Sequence, residues 1–268
     1  MLLTYGFFSM YPVLFSCDFF TLYSFGFCIF IGYTLYLYLL EKDQVVASLI
    51  SPKQLNLLVF CALITGVVSS RILCVISEWQ NYTSYYDMID IRQPGFSILG
   101  AVIGICVYAM WASAHYRFPL AIIADRAALY APYAQAIGRV GCFLAGCCHG
   151  LPSLNGWGIM YHDPRVLAPR GIWLYPTQLY SALILFCIGL FLYSFQKKIA
   201  KIPGRLLAAY LILTGLERCM VDFWRDDRIM AHAQSWISFD QKIALGIILA
   251  ACILLIYISH KKAVSHEH

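Results

Sequence analysis

Long apolar runs separated by short polar segments make up most of the sequence. Crossing a hydrocarbon core of about 30 Å takes roughly 20 apolar residues in a helix, and seven runs approach or exceed that length. They are Phe19–Leu40, Leu55–Ile76, Phe96–Ala114, Phe118–Ile137, Leu179–Phe195, Leu206–Trp224 and Ile243–Ser259. The pattern predicts an all-α integral membrane protein with seven transmembrane helices, forming a single polytopic membrane domain over residues 1–268.

The polar segments between the runs alternate in character. Basic residues, mostly lysines, concentrate in segments 41–54, 115–117 and 196–205 and in the C-terminal tail, which seven spans place on one side. The positive-inside rule then predicts an outer N-terminus and a cytoplasmic C-terminus. The long segment Gly138–Gln178 falls on the other side. Its compact pattern of Pro, Gly, Trp and Tyr predicts an ordered loop over the outer face, between spans four and five.

Composition supports a membrane protein and excludes several other classes. Hydrophobic residues make up 61% of the chain and charged residues 12%, with a mean hydropathy of +0.70. A soluble domain carries about twice that share of charge, and a disordered, coiled-coil or collagen chain has a different composition. The net charge is +5. No basic stretch is interleaved with aromatic residues, so we expect no nucleic-acid partner.

Three arginines fall near the outer ends of predicted spans: Arg71, Arg139 and Arg218. Ionisable residues inside a membrane are costly and usually functional. A guanidinium binds phosphate through a bidentate fork, so the three suit an anionic lipid headgroup at the outer leaflet. In the alternative interpretation, each arginine extends to the interface or pairs with an acid.

The sixth run carries polar residues at helical spacing. Thr214, Arg218 and Asp222 lie four residues apart and therefore share one helix face. Charges within a span indicate a polar cavity. The alternative is an intrahelical pair between Arg218 and Asp222 that only neutralises both charges.

The segment from Gly138 to Gly150 has the densest set of unusual residues: four glycines, three cysteines and His149. Glycines permit positive φ and close backbone approach, which suits backbone N–H groups facing a phosphate. The spacing Cys-x4-Cys-Cys-His matches no common structural zinc site. We therefore expect no bound metal and no cofactor. A disulfide within the segment stays open, and buried small residues remain the simplest interpretation.

Taken together, these residues resemble the prolipoprotein diacylglyceryl transferase family over nearly the whole chain. The strongest match is Gly138-Arg139-Val140-Gly141, the start of the family signature, with Gly150 at its end. The other matching segments, in order, are Tyr11–Phe15, Ser69–Arg71, Gly95–Gly104, Pro176–Tyr180, Gly204–Arg205, Arg218–Arg225 and Gln241.

The resemblance implies a multi-pass enzyme of the bacterial inner membrane. Such an enzyme moves diacylglyceryl from phosphatidylglycerol to the lipobox cysteine thiol of a preprolipoprotein, recognised by its signal peptide, among membrane lipids. Arg139 and Arg218 match the family's two essential arginines and are expected to be catalytic. The residues expected to bind substrate are Arg71, Gly138, Gly141, Cys142, Gly150, Gln178, Tyr180 and Asp222.

The sequence also departs from the family pattern. Leu99 stands where the family's third span carries a His proposed as the base, and Cys142 replaces the signature's Asn. His149 is the nearest candidate base by sequence, although a structural role in the loop is equally compatible with it. Loss of the base favours an alternative function: a non-catalytic family member that binds an anionic lipid or a lipoprotein partner.

Overall fold

A computed structural model describes residues 11–17, 20–82, 84–90, 95–225 and 237–264. Segments 77–95 and 225–242, which seven spans place on the same side as Gly138–Gln178, lie partly outside these residues, as does the start of the first predicted span. The strands are β1 (Val13–Cys17), β2 (Phe20–Tyr23), β3 (Ile159–Met160) and β4 (Trp173–Leu174). The helices are α1 (Ser24–Lys42), α2 (Gln44–Leu49), α3 (Pro52–Ser77), α4 (Tyr85–Ile89), α5 (Ile98–Tyr116), α6 (Leu120–Ala145), α7 (Thr177–Ile199), α8 (Arg205–Asp222) and α9 (Phe239–Val264), with a 3-10 turn at Trp79–Asn81.

Each predicted span corresponds to one long helix, with different ends. The first helix begins at Ser24 rather than Phe19, because Phe20–Tyr23 pairs antiparallel with Val13–Cys17. The fourth continues to Ala145, eight residues beyond the predicted end at Ile137. Five helices of the described chain are long and apolar enough to cross a membrane: α1, α3, α5, α7 and Asp240–His260 within α9.

The chain divides into two compact units, Leu40–Ile123 and the remainder of the sequence. In the first, α3 packs against α5 at a row of small residues. A Cβ on Gly100 would lie 2.6 Å from the backbone oxygen of Ser69 and 2.7 Å from Leu73 Cβ. Small residues at this spacing let two apolar helices approach closely. The Gly-rich opening of the third span is therefore a packing surface.

The second unit contains α1 and α6 to α9. Asp125 on α6 is buried and accepts hydrogen bonds of 2.8 Å from the backbone N–H groups of Gly204 and Leu207. Those groups belong to the first turn of α8, which has no capping side chain of its own. A carboxylate from another helix therefore satisfies donors that would otherwise lack partners. This contact explains an acid in the middle of an apolar run.

The connection between α6 and α7 has its own small core. Phe143, Tyr161, Ala168 and Leu174 are buried together, and Leu174 belongs to β4, which pairs with β3. Burial raises the pKa of Tyr161 to about 12, and its hydroxyl donates to the Phe143 backbone oxygen. The connection is thus packed around apolar side chains, and it holds the end of α6 against the start of α7.

Candidate functional site

The signature segment begins inside α6 and leaves the helix only at Gly146. Gly138 and Gly141 are helical and face α1, where a Cβ on Gly141 would lie 2.8 Å from Cys28 Cβ. Of the two properties that glycine permits, Gly141 uses close backbone approach, whereas a Cβ on Gly138 would make only an ordinary 3.5 Å contact with Ile29. Gly146 alone of the segment's glycines has positive φ, at 74°. Arg139 consequently lies on α6 rather than beyond it.

Three thiols converge where α6 ends. Cys142 lies in the last turn of the helix, and Cys147 and Cys148 follow in the connection. Their Sγ atoms all lie within 4.8 Å of one another, and each residue is half-buried. The turn is closed by the backbone N–H of Cys147, which donates to the Cys142 oxygen at 3.1 Å. The sequence marks the three cysteines as a cluster, but its spacing does not show that the three Sγ atoms meet.

Two arginines provide positive charge around these thiols. Hydrogen bonds from Cys142 and Cys147, followed by the charges of Arg225 and Arg139, lower the pKa of the Cys148 thiol. Arg225 is buried, whereas Arg139 is half-buried. Among the residues that the structure describes, Arg139 has no hydrogen-bond or ion-pair partner. Its guanidinium is therefore available to bind an anion.

The first turn of α7 fixes the backbone of the cysteine pair. Thr177 Oγ1 donates to the Cys148 oxygen at 3.0 Å, and Gln178 Nε2 donates to the Cys147 oxygen at 2.7 Å. Gln178 is buried, and its Oε1 lacks a hydrogen-bond partner within the described part of the chain. Tyr180, half-buried, lies in the same turn. The Pro-Thr-Gln-Leu-Tyr motif thus positions the signature segment.

The end of the signature is attached to the end of α8. Gly150 forms a β-bridge with Arg225, and the N–H of Leu151 donates to the Trp224 oxygen at 2.8 Å. A Cβ on Gly150 would lie 2.6 Å from the Tyr175 oxygen, so only glycine fits. His149 is half-buried, with Nδ1 3.2 Å from the Gly150 oxygen. The bridge holds Arg225 beside the signature segment.

Arg218 and Asp222 do not pair, contrary to one of the interpretations from sequence. Arg218 forms an ion pair with Asp240 at the start of α9. Asp222 is buried and accepts a 2.6 Å hydrogen bond from Ser238 Oγ. Gln241 completes the cap of α9 by accepting from the Ser238 N–H at 3.1 Å. Both acids near Arg218 therefore connect α8 to α9.

Arg71 belongs to the other compact unit, as does Leu99 on α5. The Arg71 guanidinium is buried and donates to the backbone oxygens of Asp87, Met88, Asp90 and Gly95, at 2.7 to 3.1 Å. These bonds organise the connection between α3 and α5. Leu99 is exposed on its helix. A role for Arg71 in substrate binding stays a prediction.

Comparison with known proteins identifies the family. A family model described as prolipoprotein diacylglyceryl transferase matches residues 12–257. The chain belongs to the prolipoprotein diacylglyceryl transferase family. One relative, a phosphatidylglycerol–prolipoprotein diacylglyceryl transferase 2 from Clostridium perfringens, is 31% identical over 87% of this chain and 90% of its own. Relatives from Dehalococcoides mccartyi (31% identical, 75% of each chain) and Finegoldia magna (30%, 88% of each) bear the name phosphatidylglycerol–prolipoprotein diacylglyceryl transferase.

Family membership and the apolar helices together show a multi-pass membrane protein. The sequence predicts Arg139, Cys142 and Gln178 as site residues, and the structure brings all three to the junction of α6 and α7. Cys147 and Cys148 are predicted only as members of a cysteine-rich segment, and Arg225 only as the end of a matching segment. Two adjacent cysteines within the signature are the signal that points to the thiols. Arg225 follows three residues after α8, which carries Arg218.

Proposed function

We propose that this prolipoprotein diacylglyceryl transferase family member catalyses the transfer after which its relatives are named. The donor is phosphatidylglycerol and the acceptor is the lipobox cysteine thiol of a preprolipoprotein. The products are a thioether-linked diacylglyceryl group and glycerol phosphate. The family match over residues 12–257 and the relatives' 30 to 31% identity support this proposal.

Arg139 provides the structural observation on which the proposed site rests. Its guanidinium is half-buried, lacks a hydrogen-bond or ion-pair partner among the described residues, and lies close enough to Cys148 to act on it as a positive charge. A phosphate leaving group gains negative charge as its ester bond breaks. A preplaced cation stabilises that charge without reorganising. We therefore assign Arg139 to the lipid phosphate.

Arg218 has a second role in this proposal. Its ion pair with Asp240 leaves further N–H donors on a side chain that is 24% exposed. A second guanidinium on the same phosphodiester fixes its orientation. Asp222 supports this placement indirectly, since it anchors the start of α9 through Ser238. Gln178 supports the site by holding the Cys147 carbonyl oxygen in place.

The other candidate residues keep supporting roles. Gly141 permits the close α1–α6 contact and Gly138 faces the same helix. Gly150 bridges Arg225, and Tyr180 lies in the first turn of α7. His149 remains a candidate base because it is half-buried within the signature segment. Arg71 already donates to four carbonyl oxygens, so any contact with lipid would be an additional one.

All seven long helices are proposed to cross the bacterial inner membrane as one polytopic domain, with the N-terminus outside. The acids on α6 and α8 support this, because Asp125, Glu217 and Asp222 are buried within their own unit and present no charge to lipid. The C-terminal turn of α7 carries Lys197 and Lys198, as expected at a cytoplasmic end.

A Lys198→Cys variant in a cysteine-depleted chain tests this orientation. It should be unreactive towards impermeant maleimide in intact cells, and labelling of this cysteine would show that the orientation is the opposite one.

A non-catalytic lipid-binding role is the second candidate, and Leu99 is the observation that favours it. A leucine cannot accept the proton of an attacking thiol, and the resemblance puts Leu99 where the family's third span carries its proposed base. Such a protein would bind phosphatidylglycerol through the same arginines and transfer nothing.

The deciding experiment measures transfer and binding on the same purified protein. Labelled phosphatidylglycerol vesicles and a lipobox peptide are incubated with wild type, Arg139→Ala and the control Arg165→Ala. Arg165 is exposed and pairs only with Asp163 among the described residues. Wild type and the control should form thioether-linked peptide, and Arg139→Ala should form it about 10- to 100-fold more slowly. Lipid binding without product in wild type would establish the second candidate and overturn the first.

A further inference from the structure

The three thiols at the end of α6 form a triangle of the size that a metal ion requires. Their Sγ atoms all lie within 4.8 Å of one another. Zinc binds sulfur at about 2.3 Å, so two thiolates on one tetrahedral ion stand roughly 3.8 Å apart. Small shifts of three half-buried side chains would place Cys142, Cys147 and Cys148 on three corners of a tetrahedron.

The backbone around the triangle is held in position before any ion arrives. Thr177 and Gln178 bind the carbonyl oxygens of Cys148 and Cys147, and the Cys147 N–H binds the Cys142 oxygen. Cys148 has φ of 57°, a conformation that residues other than glycine rarely adopt. Strained backbone that surrounding contacts maintain is characteristic of functional sites.

The charges around the triangle suit a divalent ion. Arg139 lies on α6 three residues before Cys142, and Arg225 bridges Gly150, two residues after Cys148. A divalent ion with three thiolates has a net charge of −1, which these arginines offset. Two guanidiniums offset a charge of up to −2, which a divalent ion reaches only with a fourth thiolate, whereas a monovalent soft ion reaches it with three. The surroundings therefore favour a divalent ion such as Zn²⁺, for which thiolates are preferred ligands.

We propose that Cys142, Cys147 and Cys148 bind one zinc ion, whose fourth position takes the acceptor thiol of the prolipoprotein. This inference rests on the proposed function and revises the expectation, drawn from sequence spacing, that no metal binds. Catalytic zinc sites keep one position open for water or substrate, and half-buried thiols leave such a position accessible.

Coordination would replace the missing base. A thiol that binds zinc loses its proton to water and becomes a thiolate. The thiolate sulfur attacks the diacylglyceryl carbon that is bonded to a phosphate oxygen. The carbon–sulfur bond forms as the carbon–oxygen bond breaks, and the electron pair of that bond leaves with glycerol phosphate beside Arg139. Nothing is oxidised or reduced, and no proton acceptor at Leu99 is needed.

The first experiment tests the metal site without reference to transfer. The full chain is purified in detergent under reducing conditions, stripped with chelator, and reloaded with Zn²⁺ or Co²⁺. Wild type should bind one equivalent, and Co²⁺ should show thiolate charge-transfer absorption. Cys142→Ser and Cys148→Ser should each lower metal affinity at least about 100-fold. Cys187→Ser is the matched control, since Cys187 is exposed on α7, and it should bind as wild type does.

The second experiment tests the open position. A lipobox peptide should change the Co²⁺ absorption spectrum, and the same peptide with Ser in place of its Cys should not. A metal content that is unchanged in Cys142→Ser and Cys148→Ser would show an adventitious ion only and overturn the site. A disulfide joining two of the three cysteines in anaerobically prepared protein would overturn it as well. A spectrum insensitive to the peptide would overturn acceptor activation.

Failure of this proposal and failure of the proposed function give different results. If stripped wild type transfers diacylglyceryl at the rate of the reloaded protein, the zinc proposal is wrong and the transferase stands. If reloaded protein binds one metal and the peptide thiol but forms no thioether, the site and thiol binding stand and the transferase is wrong. Stripping uses the native chain, so neither result depends on whether a cysteine variant folds.

Discussion

The guanidinium of Arg218 and the carboxylate of Asp240 form an ion pair that ties the second half of α8 to the first turn of α9. Both side chains remain partly exposed, at 24% and 39%. Asp222, one turn further along α8, is buried and binds Ser238 instead. The two acids near Arg218 therefore have separate roles. Asp240 occupies guanidinium donors that could otherwise bind a phosphate, and Asp222 fixes the start of α9 through Ser238.

This competition predicts the effect of Asp240→Asn. A partly exposed ion pair contributes at most about 1 kcal/mol, so thermal stability should change little. The freed guanidinium should bind phosphatidylglycerol about two- to fivefold more tightly, because it no longer shares its donors with a carboxylate. Binding isotherms with vesicles test this against Asp163→Asn, which removes an acid from an unrelated pair. If Asp240→Asn binds phosphatidylglycerol with unchanged affinity, Arg218 does not contact the lipid.

Replacement of Arg139 should impair function without unfolding the protein. A hydrogen bond to a charged group contributes about 1.5–3 kcal/mol, which corresponds to one or two decades in lipid affinity or turnover. Arg139→Lys should restore little, because an ammonium lacks the planar fork that binds two phosphate oxygens. Transfer to a lipobox peptide and lipid binding are both measured, with thermal unfolding as the check on folding. If Arg139→Ala binds lipid as tightly as wild type does, the lipid phosphate does not bind at Arg139.

The helices could be predicted from sequence because apolar run length directly reflects the thickness of the membrane core. Their ends could not, since contacts between distant segments set them. β1 pairing shortened the first helix, and α6 continues through Gly138 and Gly141, of which Gly141 lies close against α1. An acid such as Asp125 within an apolar run is unusual by pattern alone, but only the fold shows that it caps α8.

The site was predictable in part for a related reason. A signature arginine and a Pro-Thr-Gln motif are local patterns, so Arg139 and Gln178 could be read from them. The thiol triangle depends on a positive φ at Gly146 and on bonds from α7, 29 and 31 residues away. Asp240 as the partner of Arg218 lies 22 residues away and carried no comparable signal.

Asp125→Ala should strongly destabilise the fold. The substitution leaves the N–H groups of Gly204 and Leu207 without their acceptor at a buried helix start. Each unsatisfied buried donor costs about 1–3 kcal/mol, so the loss should be about 2 kcal/mol or more. Thermal unfolding in detergent measures it, with Asp163→Ala as a control expected within about 0.5 kcal/mol of wild type. Equal stability of the two variants would contradict the capping role.

Gly150→Ala should weaken the bridge that holds Arg225. The added Cβ would lie 2.6 Å from the Tyr175 oxygen and 2.8 Å from the Trp224 oxygen, so the backbone must move. We expect a loss of about 1–3 kcal/mol in unfolding free energy and reduced transfer activity. Gly26→Ala is the matched control, because nothing lies within 4 Å of its added Cβ. Thermal unfolding of the two variants, measured side by side, tests the prediction. A Gly150→Ala variant as stable as wild type would contradict it.

Cys148 should react as a thiolate at unusually low pH in metal-free, reduced protein. Hydrogen bonds from Cys142 and Cys147, together with the charges of Arg225 and Arg139, lower its pKa. Because the thiolate is the reactive form and predominates above its pKa, lowering the pKa extends reactivity towards acid. Cys148 is alkylated at a series of pH values from 5 to 9, and the product is measured by mass spectrometry. The alkylation rate should reach half its maximum at a pH well below the usual cysteine pKa of about 8.5. Removing one nearby positive charge by Arg139→Gln should shift that midpoint upward. A midpoint at or above 8.5 in wild type, unmoved by Arg139→Gln, would show that the two arginines do not stabilise a thiolate there.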